Sequence, residues 1–171
     1  MGKTKIVLDA DVIIHFAEGQ YLALLPSILP DYEFIVLSQV YNEIRGEIKR
    51  QLDNQIHFFK NINIVRFEPR GDMMREYAQL IRTKGRGESA CLAYCKYEQN
   101  VIGSSNLKDI KEYCETNGIT YLTTIDFLYF AIKNKHLTIE EASQFINNVV
   151  EKGSKLPTDI DFSTFVSKAL V

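Results

Sequence analysis

Residues 5–19 read KIVLDADVIIHFAEG, and this stretch decides the fold. Ile6, Val7 and Leu8 form an unbroken apolar run with β-branched residues at its start, the pattern of a strand buried on both faces. Asp9 and Asp11 then interrupt the run, and apolar residues resume at Val12. DVIIHFAEG continues as a short helix stopped by Gly19. Turns favour polar residues, but two carboxylates bracketed by Leu8 and Val12 raise a choice between helix caps and metal ligands.

Outward from this stretch, the same alternation repeats. YLALLPSIL reads as a helical piece broken near Pro26. EFIVLS is a second buried strand. Ser38 is placed to cap one continuous helix over QVYNEIRGEIKRQL, where Val40, Ile44 and Ile48 recur every four residues. INIVRF is an edge-strand candidate, and DMMREYAQLIRT an amphipathic helix broken by KGRG. ESACLAYCKYE is a helix beginning at Glu88. NVIGSS is a strand, NLKDIKEYCETNG a helix closed by Gly118, and ITYLTT a strand. IDFLYFAIKNK is an apolar helix. TIEEASQFINNVVEKG opens with a capping box, Thr138 with Glu141, and closes on Gly153. Strands alternating with helices imply right-handed crossovers and an α/β fold: a parallel-stranded central sheet flanked by helices. In such sheets the working crevice lies beyond the carboxyl ends of the strands. Asp9, Ser105, Asn106 and Asp126 all fall there.

The chain of 171 residues suits one domain with a substantial core. A net charge of −2 and a pI near 5.9 exclude a generic polyanion binder. Any contact with nucleic acid needs a local basic patch. Cys91, Cys95 and Cys114 read as packed, reduced residues, and no zinc-type spacing is present. No apolar run approaches the roughly 20 residues needed to span a bilayer. MGKTKI has no signal-peptide pattern, so a cytoplasmic address is expected. His15 falls on the apolar face of the first helix and reads as core or interface; His57 and His136 have no partner at a telling distance.

Asp9, Glu43, Glu88, Asn106 and Asp109 stand out, and each has an ordinary structural role open to it. Asp9 fits an N-cap, Glu43 a solvated helix position, and Glu88 the first turn of a helix. Asn106 is a preferred N-cap, and Asp109 again suits the helix dipole. Asp126 is assigned to capping alone.

Taken together, several motifs resemble the PIN-domain ribonucleases, especially the branch that includes toxins of toxin–antitoxin pairs. IVLDADVIIHF looks like that family's opening strand, LSQVYNEI like its second motif, and GRGESACLAYCKYEQNVIGSSN like its third. GITYLTTIDFLYFAIKNKHLTIEEASQFINNVVEKGSKLP resembles the ending of one subgroup. Coverage runs from about residue 5 to 157. This implies a PIN-like α/β/α sandwich over 1–157, followed by a tail, 158–171, expected to form a short helix capped near Asp161 or Ser163.

The resemblance also implies metal-dependent RNA cleavage. Asp9, Glu43 and Glu88 match the family's acidic positions. Asn106 stands where a fourth acid is usual, and Asp109, one helical turn on, is an alternative ligand. Carboxylates gathered in one crevice repel each other unless a divalent cation neutralises them, and hard oxygen donors select Mg²⁺ or Mn²⁺. Metal ligands on this reading are Asp9, Glu88, Asn106 and Asp109. Arg82, Lys84, Arg86, Lys108 and Lys111 are candidate phosphate contacts, against the alternative of an ordinary solvated loop. The implied partners are RNA, an antitoxin protein and, from the apolar YLALLPSIL segment, a second copy of the chain, with no membrane.

Two rival readings remain open. Without its fourth acid the domain could bind RNA or protein without cutting. LDADV also looks like the first motif of haloacid dehalogenase-type phosphatases, in which Asp9 would attack phosphate and Asp11 serve as acid and base.

Overall fold

The computed structural model describes residues 2–169 and Val171. Five parallel strands form one sheet in the order β3-β2-β1-β4-β5. These are β1 (Lys5–Leu8), β2 (Glu33–Leu37), β3 (Asn63–Val65), β4 (Val101–Gly103) and β5 (Tyr121–Leu122). The register is Ile6 with Phe34 and with Val101, so β1 lies between β2 and β4. Ile6, Val7, Leu8, Ile35, Val36 and Leu37 are fully buried. That burial explains why β1 and β2 carry apolar runs and not an alternation.

Helices cover both faces. On one side, α1 (Ala10–Glu18) packs against α4 (Gly46–Asp53), α8 (Thr124–Lys133) and α9 (Ile139–Glu151), and α8 against α2 (Leu25–Ile28). On the other, α6 (Arg86–Glu98) packs against α5 (Gly71–Leu80), α7 (Leu107–Asn117) and the strands β1, β2 and β4. α3 (Ser38–Glu43) follows β2 and touches α6. This is the expected α/β sandwich. The chain runs outward from β1 to β3, crosses to β4 and then runs the opposite way. β1 and β4 therefore flank the topological switch point, where α/β sheets open a crevice.

Four local expectations are corrected. The helix expected over 39–52 is two helices: Ile44 is extended (ψ 138°) and Gly46 has φ +63°. Glu43 therefore ends α3 and does not sit inside a longer helix. Ser38 does not cap it; its Oγ accepts from the Phe67 amide at 3.0 Å and so pins the end of β3. Pro26 lies in the first turn of α2 and does not break it, since the missing N–H is not needed there. Among its described residues the tail contains one turn, at 162–164, in place of a helix. There Asp161 Oδ1 accepts from the Ser163 amide at 3.0 Å and its hydroxyl at 2.6 Å, which closes a local turn instead of starting a helix.

The tail belongs to the body. Phe162 is buried, the Phe165 ring meets Tyr129 edge-on at 5.9 Å, and Ser167 Oγ donates to Asp126 Oδ1 at 2.7 Å. Asp126 also completes a capping box with Thr123 at the start of α8. Cys91, Cys95 and Cys114 are free and buried. α6 begins at Arg86, two residues before the expected start, which places Glu88 in its first turn.

Candidate functional site: a carboxylate-rich crevice at the switch point

Asp9 follows β1 directly, and its amide donates to the Gly103 carbonyl of β4 at 2.8 Å. Its side chain caps α1, Oδ1 accepting from the Ala10 amide at 2.8 Å. The capping reading of Asp9 is thus met through one of its two oxygens. Asp9 is 6% exposed. Burial, then the nearby charge of Asp11, with smaller effects from Glu88 and Glu43, pushes its carboxyl up to about 8.

Glu43 reaches the same place from the end of α3. Its Oε1 accepts from the Gly87 amide at 2.9 Å, one residue before Glu88. A side chain at residue 87 could not share this space: a Cβ there would stand 2.5 Å from Glu43 Oε2. Glu88 is 8% exposed, and burial raises its carboxyl despite the Asn106 hydrogen bond.

Asn106 sits at the N-cap position of α7 but makes no cap bond. Its amide nitrogen donates to Glu88 Oε1 at 2.9 Å and to Asp109 Oδ2 at 2.8 Å. Both hydrogens of one amide are therefore spent on two carboxylates. The nitrogen faces them, whereas a ligand role calls for the carbonyl.

Asp11 accepts from its neighbour Val12's amide at 2.7 Å through Oδ1 and from the Ser105 amide at 2.8 Å through Oδ2. Sequence reading missed what lies behind Ser105. Its hydroxyl and the Thr124 hydroxyl are 2.8 Å apart, and Thr124 Oγ1 is 2.8 Å from His15 Nδ1. The Thr124 amide donates back to Ser105 Oγ at 2.8 Å. Burial lowers His15 to about 4, so the ring is neutral. The donor in the Thr124–His15 hydrogen bond is set by the tautomer of the neutral ring. The available signal was positional: Thr124 follows β5 as Ser105 follows β4, at the same sheet edge.

The structure therefore brings Glu43 to the start of α6 and joins Asn106 to Glu88 and Asp109, with Asp9 within electrostatic reach of Glu43 and Glu88. It does not close them into a cage. No three His, Cys, Asp or Glu side chains among the described residues lie close enough to hold a metal ion together. Nor does any of Asp9, Asp11, Glu43 or Glu88 join an ion pair among those residues. Lys84, in the turn between α5 and α6, is the basic group whose field reaches Glu88. Arg82 lies in that turn, Arg86 opens α6 and Lys108 lies in the first turn of α7; all three are exposed.

No protein-family model matches the chain, and no curated protein matches its sequence. No helix among the described residues is long and apolar enough to cross a membrane.

Proposed function

We propose that the protein is a PIN-like, metal-dependent endoribonuclease, in the manner of the toxin of a toxin–antitoxin pair. One observation carries this reading. The Glu43–Gly87 and Asn106–Glu88 contacts tie Glu43, Glu88 and Asn106 together, and Asp9, at the end of β1, lies within electrostatic reach of Glu43 and Glu88. Asp9 and Glu88 are buried without basic partners, which is costly unless they are protonated or neutralised by a cation, whereas Glu43 is exposed. Their oxygen donors suit Mg²⁺ or Mn²⁺.

Asp9 and Glu88, with Asp109 or the carbonyl of a turned Asn106, are the residues that would hold the ion, and their side chains would have to turn towards one another to do so. Once bound, it supplies charge neutralisation at the scissile phosphate and an acidified water. Glu43, held by the Gly87 amide, orients the attacking group. Arg82, Lys84, Arg86 and Lys108 line the approach and hold backbone phosphates.

The orientation of Asn106 favours a second reading, a binding module with weak or no cleavage, because its nitrogen takes the place of a ligand oxygen. The phosphatase alternative draws less support. Both Asp11 oxygens accept from backbone amides, which leaves that carboxylate poorly placed to relay a proton.

The deciding experiment is cleavage of single-stranded RNA with Mn²⁺ by wild type and Asp9→Asn. Asparagine keeps the cap acceptor at α1, so the fold is retained. Cleavage abolished by the substitution supports the nuclease; binding without cleavage in wild type supports the module. Cleavage that persists in the variant sinks the metal mechanism.

A further inference from the structure

A cavity of about 820 Å³ opens beside the crevice, between α7, the free edge of β5 and the C-terminal tail. Ser105 lines it, so its inner end is continuous with the loop that carries Asn106. Its walls combine two aromatic rings, Tyr121 and Phe165, with three lysines from different segments, Lys111, Lys155 and Lys168, and two carboxylates, Glu115 and Asp126, the second held by Thr123 and Ser167. The tail is one of these walls and is tied in place by the Ser167–Asp126 hydrogen bond. Nothing in the nuclease chemistry uses this space.

We propose that the cavity receives one unpaired nucleotide of the RNA next to the scissile phosphate. Its base lies against Tyr121 and Phe165, and its flanking phosphates on Lys111, Lys155 and Lys168. This rests on the reading of RNA as substrate and adds where and in what form the strand is held. The chemistry is that of single-strand recognition: aromatic surfaces accept any base, and lysines follow the backbone. The volume falls within the range of about 300–1,000 Å³ typical of small-ligand pockets, enough for one nucleotide and too little for a stacked duplex. A base in a helix would have to leave its stack to enter, so the pocket selects single strands.

The test separates this proposal from the cleavage reading because it is performed in EDTA. A short single-stranded RNA carrying 4-thiouridine is photo-crosslinked to the full chain and the adduct mapped by mass spectrometry. Adducts are expected on Tyr121 or within residues 155–169. Unlabelled single strand should compete and duplex of the same sequence should not. Lys155→Glu with Lys168→Glu, both at exposed positions, should weaken binding about tenfold or more, since each lost phosphate contact costs affinity. Lys60→Glu, near β3 at the far edge of the sheet, should change it less than twofold. Adducts confined to residues 82–88, equal competition by duplex, or an equal effect of Lys60→Glu overturns the proposal. Adducts in the pocket from a protein that cuts nothing keep the single-strand pocket and remove both the nuclease and the placement beside a scissile phosphate.

Discussion

The Gly87 amide donates to Glu43 Oε1 at 2.9 Å, joining the end of α3 to the start of α6 across 44 residues. The contact requires glycine: a Cβ at 87 would fall 2.5 Å from Glu43 Oε2. The opposing atom is the far end of a flexible side chain, so the clash is relieved by moving the carboxylate and not the backbone. Gly87→Ala is therefore expected to keep the fold while displacing Glu43. Thermal unfolding should change by less than about 1 kcal/mol, within the range of mild substitutions. Mn²⁺-dependent cleavage should fall at least tenfold. Unchanged cleavage would remove Glu43 from the site.

Asn106→Asp exchanges a double donor for a third carboxylate between Glu88 and Asp109. In EDTA the variant should be less stable than wild type by about 1–3 kcal/mol, because two hydrogen bonds become like-charge contacts. Mn²⁺ should reverse the order, with tighter binding by calorimetry and a larger rise in Tm than in wild type. A variant that gains no affinity for the ion would place residue 106 outside the metal site.

Asp9 links stability to pH. Its carboxyl is raised from the ordinary 3.8 to about 8. Between those values the folded state keeps a proton that the unfolded state has lost. The stability tied to that proton is complete below 3.8 and drains as pH rises towards 8. His15, lowered from 6.5 to about 4, acts the other way and costs stability as pH falls through that window. Asp9→Asn leaves the His15 effect in place. The metal-free variant should therefore gain on wild type as pH rises from 4 to 8, with a slope of at most about 1.4 kcal/mol per pH unit. Mn²⁺ affinity of wild type should climb over the upper part of the same range, since binding requires the ionised form. Parallel denaturation curves for the two proteins across this range would sink the assignment.

Thr124 is fully buried between His15 and Ser105. Thr124→Val keeps the shape and removes the hydroxyl, leaving His15 Nδ1 without its partner. A loss of about 1–3 kcal/mol in denaturant unfolding is expected, with recovery in Thr124→Ser. A loss in Thr124→Ser with none in Thr124→Val would show that packing of the methyl group is what counts.

Replacing Arg82, Lys84 and Arg86 together by Ala should weaken RNA binding and flatten the slope of log affinity against log salt by about two to three. An unchanged slope would assign these residues to an ordinary solvated turn.

The sequence by itself determined the sheet and most of the helices. The apolar runs at 6–8 and 34–37 are long enough in β-branched and aliphatic residues to require burial on both faces, and burial of that kind forces parallel crossovers. Local chemistry also fixed several helix ends, such as Gly118 at φ +65° and the Thr138 hydroxyl on the Glu141 amide. Asp9 and Glu88 were legible because strand ends and helix starts fall at predictable places along one sheet edge.

What only the tertiary structure decided was direction and partnership. The i, i+4 spacing of Val40, Ile44 and Ile48 reads as one helix, yet the chain breaks at Ile44 and Glu43 swings to Gly87. Asn106 has the signature of a cap, but its amide is claimed by Glu88 of α6 as well as by Asp109 of its own helix. Thr124, Ser105 and His15 meet through positions up to 109 residues apart. Periodicity and capping arise from neighbours within a few residues of chain, so a sequence displays them. Hydrogen bonds between segments depend on which strand ends lie side by side, and that is set only when the sheet order 3-2-1-4-5 is assembled.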